Sequence, residues 1–189
     1  MKVRIVEIVY QFRSWNFHVV VSEIPVTSDT QTQSEDNLNY LARLIVGYHF
    51  CQSDNSPTCH VSQFVHSLAA QLSQCPQLAS YHHVLQTDVN ILNHLSWSAC
   101  NINPSQALVK GILEPLTELE RLGKISVGMG IIVIDGLCEA EHHRPDYGDT
   151  IATFIGRHSS SFPSWLKIVA TIRSNFVDTY KLLPFHRIW

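Results

Sequence analysis

The chain has 189 residues, 45% of them apolar and 15% charged, enough for one globular domain with a core of its own. Its 13 Lys and Arg against 16 Asp and Glu leave a net charge of −3, and the basic residues are scattered rather than gathered into a stripe, which argues against a nucleic-acid partner. No apolar run approaches the roughly 18 residues of a membrane span, the start Met1-Lys2-Val3-Arg4 lacks a signal-peptide core, and the five cysteines are odd in number and widely spaced, a usage that fits reduced thiols in a cytoplasmic protein.

In chain order, Ile5, Ile8, Val9 and Phe12 stand at helical spacing, and Phe17 to Val21 reads as a short strand. Residues 26–39 turn to Thr, Ser, Gln, Asp and Asn, the composition of a solvated linker, so residues 1–40 form an N-terminal segment set apart from residues 41–189. Leu44 to Phe50 is strand-like and ends in the polar turn Cys51 to Pro57, which is expected to point the same way as Asp135. Val61, Phe64, Val65, Leu68 and Leu72 then share one helical face. A weaker helical stretch covers Tyr81 to Leu95, and Pro104 to Leu122 reads as a helix that Pro115 bends or splits. Ile131 to Ile134 is a strand, Asp149 to Ile155 a helix opened by an acidic cap, and Trp165 to Arg173 a third buried strand. Strands alternating with helices predict an α/β fold, a parallel sheet flanked by helices.

The run Ile131-Ile132-Val133-Ile134-Asp135 carries the most chemistry. Four branched apolar residues without polar alternation suit a strand buried on both faces of a parallel sheet, and Asp135 then lies at its C-terminal end, where open α/β sheets bind ligands. That pattern resembles the Walker B element of P-loop NTPases, in which the Asp holds Mg²⁺ and a nearby Glu, here Glu139, orients water. The bland alternative is a buried strand ending in an Asp-Gly turn. A Walker A loop, G-x-x-x-x-G-K-[ST], is missing: no glycine precedes Gly47, and Gly123-Lys124 is followed by Ile125. The chain thus holds half of a nucleotide site.

A set of colinear motifs extends this reading: Tyr48-His49-Phe50-Cys51-Gln52-Ser53-Asp54-Asn55, Phe64 to Ala70, Gly111 to Leu116, Asp135 to Glu141, Pro145 to Thr150, Phe162 to Lys167 and Lys181 to Ile188. Over residues 41–188 they resemble the NACHT-like, signal-transduction NTPase module of the TANC and rolling-pebbles scaffold family, whose members carry ankyrin and tetratricopeptide repeats after it. The resemblance implies an incomplete P-loop NTPase fold with the Asp135 strand between the other two, and a fragment of a scaffold protein, cytoplasmic and by family resemblance postsynaptic or cell-cortical, that collects other proteins. It makes Asp135 the Walker B carboxylate and the Mg²⁺ ligand if nucleotide binds, Glu139 its acidic companion, and Arg173 a sensor-like contact to phosphate; the alternative for Arg173 is a structural ion pair. Two departures stand out: no glycine-rich loop lies in residues 1–40, and Cys138 replaces the acid or amide usual between Leu137 and Glu139.

Without a phosphate cradle the expectation is a non-catalytic interaction module with no cofactor; the alternative is an ATP- and Mg²⁺-dependent switch using Asp135, Glu139 and Arg173. A zinc site from His49, Cys51, Cys59 and His60 matches no knuckle spacing, and no cysteine sits in a recognisable nucleophile turn. The same fold resemblance leaves the Arg173 strand at an edge, where Phe17 to Val21 is the upstream run able to pair with it.

Overall fold

A computed structural model of the chain describes residues 10–12, 15–17, 40–125, 128–144, 148–173, 181 and 183–184. The chain divides into two compact units, residues 1–45 with 185–189, and residues 46–184.

In the first unit, β1 (Tyr10–Phe12) pairs antiparallel with β2 (Trp15–Phe17), Tyr10 opposite Phe17 and Phe12 opposite Trp15. This corrects the helical reading of residues 3–12 at its C-terminal end. The spacing of Ile5, Ile8, Val9 and Phe12 fits a helix, yet Tyr10, Phe12, Trp15 and Phe17 are residue types with a high strand propensity. Residues 3–9, the 18–21 part of the expected strand and the 26–39 linker lie outside the described residues.

The second unit is built on three strands, β3 (Ile45–Phe50), β4 (Gly130–Asp135) and β5 (Leu166–Ala170), in the order β3-β4-β5. The expected central place of the Asp135 strand is observed. β4 and β5 run parallel, with Ile132 opposite Ile168 and Ile134 opposite Ala170. β3 is parallel to them as well: Val46 lies beside Gly130 at one end, and at the other the Cys51 amide donates to the Asp135 carbonyl at 3.0 Å.

Between β3 and β4 come α1 (Val61–Gln74), α2 (Ala79–Thr87), α3 (Val89–His94), α4 (Trp97–Ile102), α5 (Pro104–Leu108) and α6 (Glu114–Arg121). Between β4 and β5 come α7 (Leu137–His142) and α8 (Ile151–His158). The apolar face read from the sequence of α1 is the buried one, Val61, Phe64, Val65, Leu68 and Leu72 among its residues. Leu68 approaches Gly47, whose lack of a side chain permits the contact, since a Cβ there would sit 2.9 Å from Leu68 Cδ1. Phe64 meets the His49 ring edge-on at 5.2 Å and Phe154 of α8 at 6.5 Å. Helices from both connections therefore lie on one side of the sheet, as right-handed crossovers stepping the same way require.

The stretch Tyr81 to Leu95 forms two helices rather than one, because Asp88 caps the second with its carboxylate on the Asn90 and Ile91 amides. The α8 helix begins at Ile151, two residues later than the sequence suggests: Thr150, not an acid, is the N-cap, and Asp149 instead accepts from Thr153 Oγ1 and Arg157.

The Pro104 to Leu122 helix is interrupted where Pro115 predicts. Residues Val109–Leu113 widen into a π-turn, with the Glu114 amide reaching back to the Val109 carbonyl. Pro115 has no N–H for the carbonyl of Gly111, and the buried Tyr81 hydroxyl fills the vacancy at 2.7 Å. Burial pushes the Tyr81 phenol above its ordinary range, so it stays a donor. Tyr81→Phe is expected to leave that carbonyl unsatisfied and lower stability by about 1–3 kcal/mol in a denaturant titration; no loss would mean that Gly111 finds another donor.

Candidate functional site at the C-terminal edge of the sheet

Every strand of the parallel sheet ends on the same edge, and three chain segments meet there. β4 delivers Asp135, and the next residue turns the chain into α7: Gly136 has φ 72°, a left-handed value that glycine adopts without strain. Glycine is also required by space, since a Cβ at Gly136 would lie 2.8 Å from the Cys51 carbonyl oxygen.

The end of β5 is stitched to this turn through Thr171. Its amide donates to the Ile134 carbonyl at 2.9 Å, its carbonyl accepts from the Leu137 amide at 3.2 Å, and its hydroxyl oxygen accepts from the Gly136 amide at 3.0 Å. The same hydroxyl donates its proton to Asp135 Oδ1. Sequence reading passed over Thr171, because nothing in the pattern Ala170-Thr171-Ile172-Arg173 marks it until the register aligns it with Asp135.

One turn into α7, Glu139 forms an ion pair with Arg173. The carboxylate side is largely covered, at 15% exposure, while the guanidinium is 61% exposed. The three residues singled out from the sequence, Asp135, Glu139 and Arg173, therefore share one edge, and each acid is held by a group from the end of β5.

Behind the acids lie the buried thiols Cys51, Cys59 and Cys138. Burial, with the neighbouring Cys59, Asp135, Cys138 and Glu139 adding to it, pushes the Cys51 thiol up to about 12, and burial raises Cys59 as well. Cys51 and Cys59 are thus held as neutral thiols, unsuited to nucleophilic attack. Two of the four residues weighed for zinc have other partners: His49 donates from Nε2 to the Thr58 carbonyl at 2.7 Å, and the Cys59 thiol donates to the Gln52 carbonyl at 3.5 Å. Burial lowers the His49 pKa below its ordinary value, which suits a neutral ring donating once. Among the described residues no group of three or more His, Cys, Asp or Glu is placed to hold a metal ion. No described helix is long and apolar enough to cross a membrane.

A family model described as Nephrocystin 3, N-terminal, matches residues 24–173, a span that takes in all three strands of the parallel sheet and ends on Arg173. No solved structure matches the chain.

Proposed function

We propose, from the premise that this chain belongs to the nephrocystin 3 N-terminal family, that it is a non-catalytic protein-interaction module of a scaffold protein, built on a P-loop-NTPase-type sheet. The observation that carries this reading is the closure of the edge by its own side chains. Asp135 accepts from Thr171 and Glu139 is neutralised by Arg173, so the groups that would bind Mg²⁺ and orient water serve to tie the chain after β5 to the end of β4 and to α7. A triphosphate is held chiefly by the backbone donors and lysine of a glycine-rich loop, and residues 1–46 of this chain contain no glycine. The motif resemblance to TANC and rolling-pebbles scaffolds supports the same role, with other proteins as the partners.

Titration of the chain with Mg²⁺-ATP by calorimetry tests it. The expected result is no saturable binding tighter than about 1 mM, unchanged in Asp135→Ala. Micromolar binding that is lost in Asp135→Ala would overturn the reading in favour of a nucleotide-dependent switch using Asp135, Glu139 and Arg173.

A further inference from the structure

The pair Asp135-Gly136 has a reactivity of its own, and it is the one Asp-Gly or Asn-Gly pair in the sequence. The Gly136 nitrogen can attack the side-chain carbon Cγ of a protonated Asp135 carboxyl. The N–Cγ bond forms, the Cγ–OH bond breaks, and the amide proton departs with that hydroxyl as water, which closes a succinimide ring. Water then adds to either ring carbonyl. At Cγ it restores aspartate; at the backbone carbonyl it leaves isoaspartate, whose chain runs through the side-chain carbon while the free carboxyl sits on Cα. No oxidant, reductant or further reactant enters. Glycine hinders the attack least, because no Cβ stands beside its nitrogen.

In the fold both reacting groups are held by one hydroxyl. Thr171 Oγ1 accepts the Gly136 N–H at 3.0 Å and gives its own proton to Asp135 Oδ1. The peptide group between Asp135 and Gly136 is thereby fixed at both ends, since its carbonyl accepts from the Cys51 amide, also at 3.0 Å. Closing the ring requires this peptide to swing its nitrogen toward Cγ and the nitrogen to lose its proton, so the bond to Thr171 must break first and the bond to Cys51 must yield with it. Thr171 is not free to drift aside, because its amide donates to the Ile134 carbonyl at 2.9 Å and its carbonyl accepts from the Leu137 amide at 3.2 Å.

We propose that Asp135-Gly136 is a latent site of backbone isomerisation, kept closed by the Thr171 hydroxyl. Thr171 is then a protecting residue, a role that does not depend on whether nucleotide binds. The product does not fit the native edge. Isoaspartate lengthens the backbone by one atom at a turn that has no room for it, because even a Cβ on Gly136 would lie 2.8 Å from the Cys51 carbonyl oxygen. Rearrangement would therefore unfasten the end of β4 from the start of α7, and with it the ion pair of Glu139 with Arg173.

The test is to incubate the full chain at neutral pH and follow isoaspartate at position 135 by peptide mapping with mass spectrometry. In the folded chain the expected rate is at least about tenfold below that of the same chain in urea. Thr171→Val keeps the β-branched shape and removes the hydroxyl; with its fold checked by circular dichroism, it is expected to isomerise at least about tenfold faster than the wild type, the factor that a hydrogen bond to a charged group carries. Thr171→Ser restores the hydroxyl and is expected to stay near the wild-type rate. Arg173→Met loosens the same edge without touching the clamp and is expected to stay near it as well. A rise in Arg173→Met equal to that in Thr171→Val would overturn the proposal, because flexibility and not the hydroxyl would then set the rate. An unchanged rate in Thr171→Val would overturn it too, and a lower one would show that the hydroxyl relays the amide proton to the carboxyl instead of withholding it. The wild-type comparison needs no variant: a folded chain that isomerises as fast as the chain in urea has no protected site.

Discussion

Phe154→Ala is expected to lower unfolding stability by about 3–5 kcal/mol, a large share of the roughly 5–15 kcal/mol typical of a domain. Phe154 is fully buried. It meets Phe64 of α1 edge to face at 6.5 Å and 81°, and lies 4.8 Å from the His158 ring. Because Phe64 belongs to the β3–β4 connection and Phe154 to the β4–β5 connection, truncation opens a cavity between helices that the sheet alone does not hold together. The midpoint in urea, read by circular dichroism, checks this. Loss below about 1.5 kcal/mol, the range of a conservative core exchange, would mean that the two connections are not joined through this ring pair.

The second large effect belongs to Gly136→Ala, expected to cost about 2–5 kcal/mol: about 1–2 for placing a side chain in the left-handed region, and about 1–3 for displacing a backbone atom. The atom in the way is the Cys51 carbonyl oxygen, 2.8 Å from the new Cβ. It cannot retreat freely, since the amide of the same residue is bonded to the Asp135 carbonyl at 3.0 Å. Gly123→Ala supplies the control: φ is 65° there, yet nothing lies within 4 Å of the added Cβ. Equal losses in the two variants would show that the Cys51 segment yields to the intrusion and that the carbonyl contact contributes nothing.

What the sequence disclosed divides along a physical line. Apolar spacing reports which side of a segment is buried, and so Ile131 to Ile134, the α1 face from Val61 to Leu72 and the position of Asp135 at a strand end were legible. Contacts between residues far apart in the chain leave no such trace. Thr171 reaches Asp135 across 36 positions, Arg173 reaches Glu139 across 34, and Gln71 reaches Tyr48 across 23. Thr171 and Gln71 look like unremarkable polar residues in their own segments, and Arg173 stood out only through the family resemblance. Tyr10 to Phe12 marks the converse error, where a helical period in a short apolar run gives way to an antiparallel backbone register with Trp15 to Phe17.

The hydroxyl of Tyr81 in the place of a proline's missing amide has a kinetic consequence. An uninterrupted helix can form from local contacts on the microsecond timescale and wait for its neighbours. The Pro104 to Leu122 segment cannot complete its hydrogen bonding in that way, because one acceptor, Gly111, is satisfied from 30 residues upstream. Its central turn is stable only once α2 has docked against it, so the two should protect their amides from exchange together and lose that protection together, as one cooperative unit.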